Sequence, residues 1–140
     1  MLRICALAVL IGLLPVLSAP PLAGPLQVTH VVSLAYPRLA LIAAVQGKVR
    51  LAAVVSPDGT VETVRVLAGS ALLAPTAGQA LRKWRFVPCA TAGKKCETTV
   101  VFSVVLAGDP CDVGNCQSEF QFDLPNAAQI RSNPARPMID

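Results

Sequence analysis

The stretch LAPTAGQALRKWRFVP, Leu73 to Pro88, decides the fold. Pro75 carries the fixed φ that suits a first helical turn, and Ala77, Leu81 and Trp84 recur at helical spacing with their apolar groups on one face. Arg82, Lys83 and Arg85 crowd the last turn, where the exposed carbonyl end of a helix favours cations, and Pro88 prevents continuation. Phe86 then falls on the exit segment. Burying Trp84 and Phe86 against a sheet contributes roughly 3 to 6 kcal/mol, taking about 1.5 to 3 for each large side chain. The stretch is a helix carrying a large apolar plug, which is a fold signal without catalytic chemistry.

Such a helix needs a sheet, and the neighbouring sequence contains one. Val49, Leu51, Ala53 and Val55 alternate with Arg50, Ala52 and Val54, the pattern of a half-buried strand. Ser56-Pro57-Asp58-Gly59 is a turn by composition, and Val61 to Leu67 returns as the second arm of a hairpin. Val64 and Val66 share a face while Val61 has the opposite parity, which predicts a bulge. Thr98 to Leu106 forms a third strand, with Val100, Phe102, Val104 and Leu106 facing one way. Beyond the turn-rich GDPCDVGNCQ, Phe120, Phe122 and Leu124 alternate again, predicting a further strand closed by a disulfide loop. From Pro125 onward the chain is polar and proline-bearing and is expected to fray.

Upstream, Tyr36-Pro37 opens a second helix that runs through RLALIAAVQ to Gly47. Ala40, Ala44 and Val45 form one apolar stripe, and Leu41 and Ile42 extend apolar surface beyond it, a candidate partner surface. The expected core comprises Ala40, Gly47, Val49, Leu51, Val64 and Val66 from the first helix and hairpin. Leu73, Ala77, Ala80, Trp84, Phe86 and Pro88 complete it from the opening stretch.

The 140 residues have room for one ordinary domain, and 54% hydrophobic against 14% charged is accounted for in good part by the start of the chain. Arg3 precedes the apolar run ICALAVLIGLLPVL, which reads as a signal peptide over residues 1–23, with an uncleaved anchor as the alternative. Residues 24–35 form a lead-in with a short strand at Val28 to Ser33, residues 36–106 form the domain, and residues 107–140 hold the disulfide-closed loop, the extra strand and the tail. Cys89, Cys96, Cys111 and Cys116 are an even set in a chain bound for an oxidising compartment, so disulfides are expected. Four cysteines allow three pairings; the local one, Cys89 with Cys96 and Cys111 with Cys116, closes two short loops.

Net charge is +4 without a basic block, and aromatics are 4%, a pattern that excludes a nucleic-acid surface. His30 stands alone, and Asp58, Glu62, Glu97 and Glu119 are scattered among turns and strand ends. No glycine-rich phosphate loop or nucleophile elbow is present, so the chain reads as no enzyme, with no cofactor. The cysteine spacing does not suit zinc, and Asp109, Asp112 and Asn115 lack calcium-loop spacing.

Taken together, Tyr36-Pro37-x-x-Ala40, Gly47-x-Val49, Asp58-Gly59-x-Val61, Val64-x-Val66, Leu73, Ala77, Ala80 and Trp84-x-Phe86-x-Pro88 resemble the C-terminal domain family of TonB, from about Tyr36 to Leu106. The resemblance implies an α+β fold, two helices packed on a three- to four-stranded antiparallel sheet. It also implies a periplasmic or secreted protein, anchored in the inner membrane if the leader is retained. The partner is then an envelope protein: a short peptide of an outer-membrane transporter, an inner-membrane complex, or a second copy in a homodimer. In the family a transporter peptide adds to the last strand, here Thr98 to Leu106, near Tyr36-Pro37. The expected partner-binding residues are therefore Tyr36, Pro37, Leu41, Ile42, Val101, Ser103 and Val105. A strand at Phe120 to Leu124 that folds back beside Thr98 to Leu106 takes the same edge. The alternatives are a component of a TonB-type energy-transduction system and a self-associating structural envelope protein.

Overall fold

The computed structural model describes residues 26–89 and 93–137; the signal peptide read at 1–23 lies outside the described residues. In chain order the elements are β1 (Val28–His30), α1 (Arg38–Ile42), β2 (Gly47–Val55), β3 (Val61–Ala68), α2 (Ala74–Arg82), β4 (Arg85–Phe86), β5 (Cys96–Leu106), β6 (Ser118–Asp123) and β7 (Ala127–Ser132). Five strands form a mixed sheet in the order β3-β2-β5-β7-β6, and β1 pairs with β4 in a small second sheet.

The hairpin forms as its alternation dictates. Val49, Leu51, Ala53 and Val55 are all fully buried on the face that meets α2 and Trp84. The register breaks twice, because Val54 faces Thr63 while Val55 faces Val61, and Leu51 faces Val66 while Arg50 faces Ala68. Glu62 and Leu67 are the extra residues, and the first of these bulges resolves the parity of Val61. Val66 remains half exposed although it faces Leu51, because it lies on the outermost strand. At the turn, Asp58 accepts hydrogen bonds from the Thr60 hydroxyl and N–H, which hold its carboxyl below the usual carboxylate range. Gly59 has φ +89°, and a Cβ there would lie 2.1 Å from the carbonyl oxygen of Phe86. Only glycine lets the turn dock this closely, and the Phe86 N–H donates to the Gly59 carbonyl at 2.9 Å.

α2 ends one residue before the C-cap Lys83, so Trp84 lies just beyond the helix rather than on it. Its indole is fully buried, and its N–H donates to the Val32 carbonyl at 2.9 Å, which ties the lead-in to the core. Phe86, Phe102 and Phe122 surround the ring with centroids at 6.4, 5.4 and 5.5 Å. Gly47 and Pro88, expected in the core, are exposed: Gly47 starts β2 at the sheet end, and Pro88 follows the short β4 out of it.

Four further expectations need correction. The sheet has five strands and is mixed, not three or four and antiparallel. The predicted helix from Tyr36 to Gln46 is only five residues long, because Ala44 takes φ 52° and the Val45 N–H turns back to the Ala40 carbonyl. The segment after Pro125 does not fray: Ala127 to Ser132 inserts as β7 between β5 and β6, with Ala128, Ile130 and Ser132 buried. Leu124, read as a third inward residue of β6, is instead 80% exposed in the turn between the two strands.

Candidate functional site

Strand addition needs an edge whose backbone groups are free. Among the described residues β5 has none from Val101 to Leu106; before Val101 its side away from β2 has no strand partner. On one side it pairs antiparallel with β2, from Gly47 opposite Val104 to Val55 opposite Cys96. On the other it pairs parallel with β7, from Val101 opposite Ala127 to Leu106 opposite Ser132. The Val101 N–H donates to the Asn126 carbonyl at 3.1 Å, and the Ala107 N–H to the Ser132 carbonyl at 2.9 Å. The odd-numbered amides between them therefore face β7. The Asn126 side-chain amide donates to the Thr99 carbonyl and extends the seam. The expected competitor at this edge was the strand around Phe120; the structure puts β7 there, with β6 one place further out.

The seven residues expected to bind a partner do not gather at one place. Val101, Ser103 and Val105 are half-buried on the sheet face away from the helices, beside Lys48 and Arg50 of β2 and Gln129 and Arg131 of β7. Ser103 and Val105 line a shallow depression there with Gln46, Lys48 and Gln129. Gln46 was not foreseen in this position; its side-chain oxygen accepts the Leu106 N–H at 3.0 Å, on the opposite side of β5 from β7.

Tyr36, Pro37, Leu41 and Ile42 belong to the helix layer. Pro37 is the N-cap of α1, Ile42 is 45% exposed, and Leu41 is only 7% exposed because the short helix turns it inward. The Tyr36 hydroxyl donates to the Val45 carbonyl, and burial pushes its phenol up from the ordinary value, so it stays a neutral donor. Tyr36, Arg38 and Leu41 face Val113, Gly114, Cys116 and Ser118 across a cleft of about 220 Å³. Nothing in the local pattern of Val113 or Ser118 marks them in the sequence. Their placement depends on the loop closed by Cys111 and Cys116, one of two disulfides among the described residues, the other joining Cys89 and Cys96.

Among the described residues no three His, Cys, Asp or Glu side chains cluster as metal ligands, and no helix is long and apolar enough to cross a membrane. The ion pairs Arg65–Glu97 at 3.3 Å and Lys95–Glu62 at 2.8 Å are solvent-exposed and contribute little to stability.

A model of the family described as Gram-negative bacterial TonB protein C-terminal matches residues 32–105, just over half of the chain. The match ends within β5, so the disulfide loop, β6 and β7 lie beyond it. Among solved structures, the solution NMR structure of the Pseudomonas aeruginosa TonB C-terminal domain aligns at 26% identity, covering 56% of this chain and 83% of that one, with a TM-score of 0.45. No curated protein matches the sequence.

Proposed function

The chain belongs to the family of Gram-negative bacterial TonB protein C-terminal domains, and from that premise we propose that it is an exported, periplasmic protein-binding module without catalytic activity. Domains of this family are interaction modules of the Gram-negative envelope and are involved in its energy transduction. The observation that carries the reading is the family match over residues 32–105, and the filling of β5 from Val101 to Leu106 limits where a partner can bind. A transporter peptide adding there must first break the register from Val101 to Leu106 and withdraw Ala128 and Ile130 from the core. Exposing Ile130 alone costs about 1.5 to 3 kcal/mol, and each backbone hydrogen bond lost adds roughly 0.5 to 1.5. The module therefore works with its β5 edge closed, and meets its partner on surface that β6 and β7 leave open.

In-cell photo-crosslinking tests this reading. A photoreactive residue is placed in turn at Ile42, Lys48, Leu72 and Gln121 of the chain carrying its own leader, followed by cell fractionation. The expected result is a periplasmic protein with discrete envelope-protein adducts from at least one position. A cytoplasmic protein, or one that gives no adduct from any of these positions, overturns the reading.

A further inference from the structure

The five-stranded sheet ends in β3 on one side and β6 on the other, and the two edges are built differently. Bulges at Glu62 and Leu67 interrupt β3 twice, so its outward backbone groups do not repeat at strand spacing, a common way of blunting an edge. β6 runs in unbroken register with β7 from Ser118 opposite Ser132 to Asp123 opposite Ala127. Because the carbonyls of Asn126 and Ser132 accept bonds from β5, the even-numbered residues of β7 face β5 and the odd-numbered ones face β6. Ala127, Gln129 and Arg131 are thus bonded to Asp123, Gln121 and Glu119. The N–H and C=O groups of Ser118, Phe120 and Phe122 point away from the sheet.

We propose that this β6 edge is a strand-addition site for an extended segment of another protein in which apolar and basic residues alternate. The inference rests on the binding-module reading above and assigns its surface. Residues added opposite Ser118 and Phe120 turn toward the helix layer, and at the Ser118 end they meet the cleft lined by Tyr36, Arg38, Leu41 and Val113, where Tyr36, Leu41 and Val113 offer contact to an apolar side chain. Residues added opposite Glu119 and Asp123 turn to the other face. Neither carboxylate has an ion-pair partner among the described residues: Asp123 accepts a hydrogen bond from the neutral Gln121 side-chain amide at 2.9 Å, and Glu119 lies opposite Arg131 in register without pairing to it, so a basic residue on the added strand supplies the missing ion pair at each position. A second copy fits less well, because pairing two β6 strands edge to edge places four carboxylates on one face.

NMR-detected amide exchange on the full exported chain, disulfides intact, tests the assignment. The probe is a short synthetic peptide alternating valine and lysine, and the control alternates valine and glutamate. The lysine peptide is expected to slow exchange at Ser118, Phe120 and Phe122, and to bind about tenfold more tightly than the control. The double variant Glu119→Lys, Asp123→Lys is expected to reverse that preference while the β2 and β5 amides keep their protection. Ser118→Pro removes an outward donor without removing a bond to β7, and is expected to weaken the lysine peptide. No slowing at these amides overturns the proposal, as does protection that appears without peptide and grows with protein concentration, the signature of a second copy. Envelope adducts from Ile42 combined with no peptide effect retain the binding module and reject this surface.

Discussion

The β3-β2-β5 side of the sheet and the β7-β6 side meet at one indole, yet they are made from different kinds of sequence. The first side is an antiparallel hairpin and a long strand, rich in valine, with turns that glycine and aspartate mark plainly. The second buries Ala128, Ile130 and Ser132 along β7, which runs parallel to β5, and presents Phe120 and Phe122 from β6. Phe102 from one side and Phe122 from the other approach Trp84 at nearly equal distances, 5.4 and 5.5 Å. The lesson is that the C-terminal strands share a core with the family domain. Their closure of the β5 edge is therefore a consequence of folding and not of a loosely held tail.

The sharpest way to break this comparison is Trp84→Ala. With both sides packed on the ring, the variant is expected to lose about 3 to 5 kcal/mol in urea unfolding, in a single transition. Separate transitions for the β2 and β7 amides would mean that the two sides do not share a core. Ile130→Ala probes the second side alone and should cost about 2 to 5 kcal/mol, whereas Leu124→Ala, in the exposed turn, should stay within about 0.5. Equal small losses at both positions would return β7 to the status of a tail. Replacing Cys111 and Cys116 together by serine should cost about 2 kcal/mol from loop-closure entropy, read as a lower urea midpoint under oxidising conditions. The smallest change acts on the first side and has the opposite sign. Gly78 sits inside α2 with room for a Cβ at 3.8 Å from Val64, so Gly78→Ala should raise stability by about 0.5 to 1 kcal/mol.

The first side was legible because its signals are local. The alternation from Val49 to Val55, the Ser56-Pro57-Asp58-Gly59 turn and the apolar face of the Trp84 stretch each specify their element within a few residues. Val61 announced its bulge by parity alone. The second side was legible only at Phe120 and Phe122, whose large side chains alternate visibly. β7 alternates as well, through Ala128, Ile130 and Ser132, but two of those residues are small or polar and the strand lies between prolines, so the pattern resembles a tail. Parallel pairing of β7 with β5 has no local signature, since it depends on β6 and its turn to bring the chain back in the right direction. The cleft beside Tyr36 was hidden for the same reason: its far wall belongs to a loop distant in sequence. On a long helix Leu41 reads as surface, whereas the early turn at Ala44 directs it inward.

The central claim is that the chain's own β7 fills the edge of β5, and amide hydrogen exchange measured residue by residue tests it most directly. Val100, Phe102 and Val104 direct their amides toward β2, while Val101, Ser103 and Val105 direct theirs toward β7, so a single strand carries its own control. Slow exchange at both sets, with similar protection, is the predicted result. Fast exchange at Val101, Ser103 and Val105 beside protected Val100, Phe102 and Val104 would show an open edge and contradict the account.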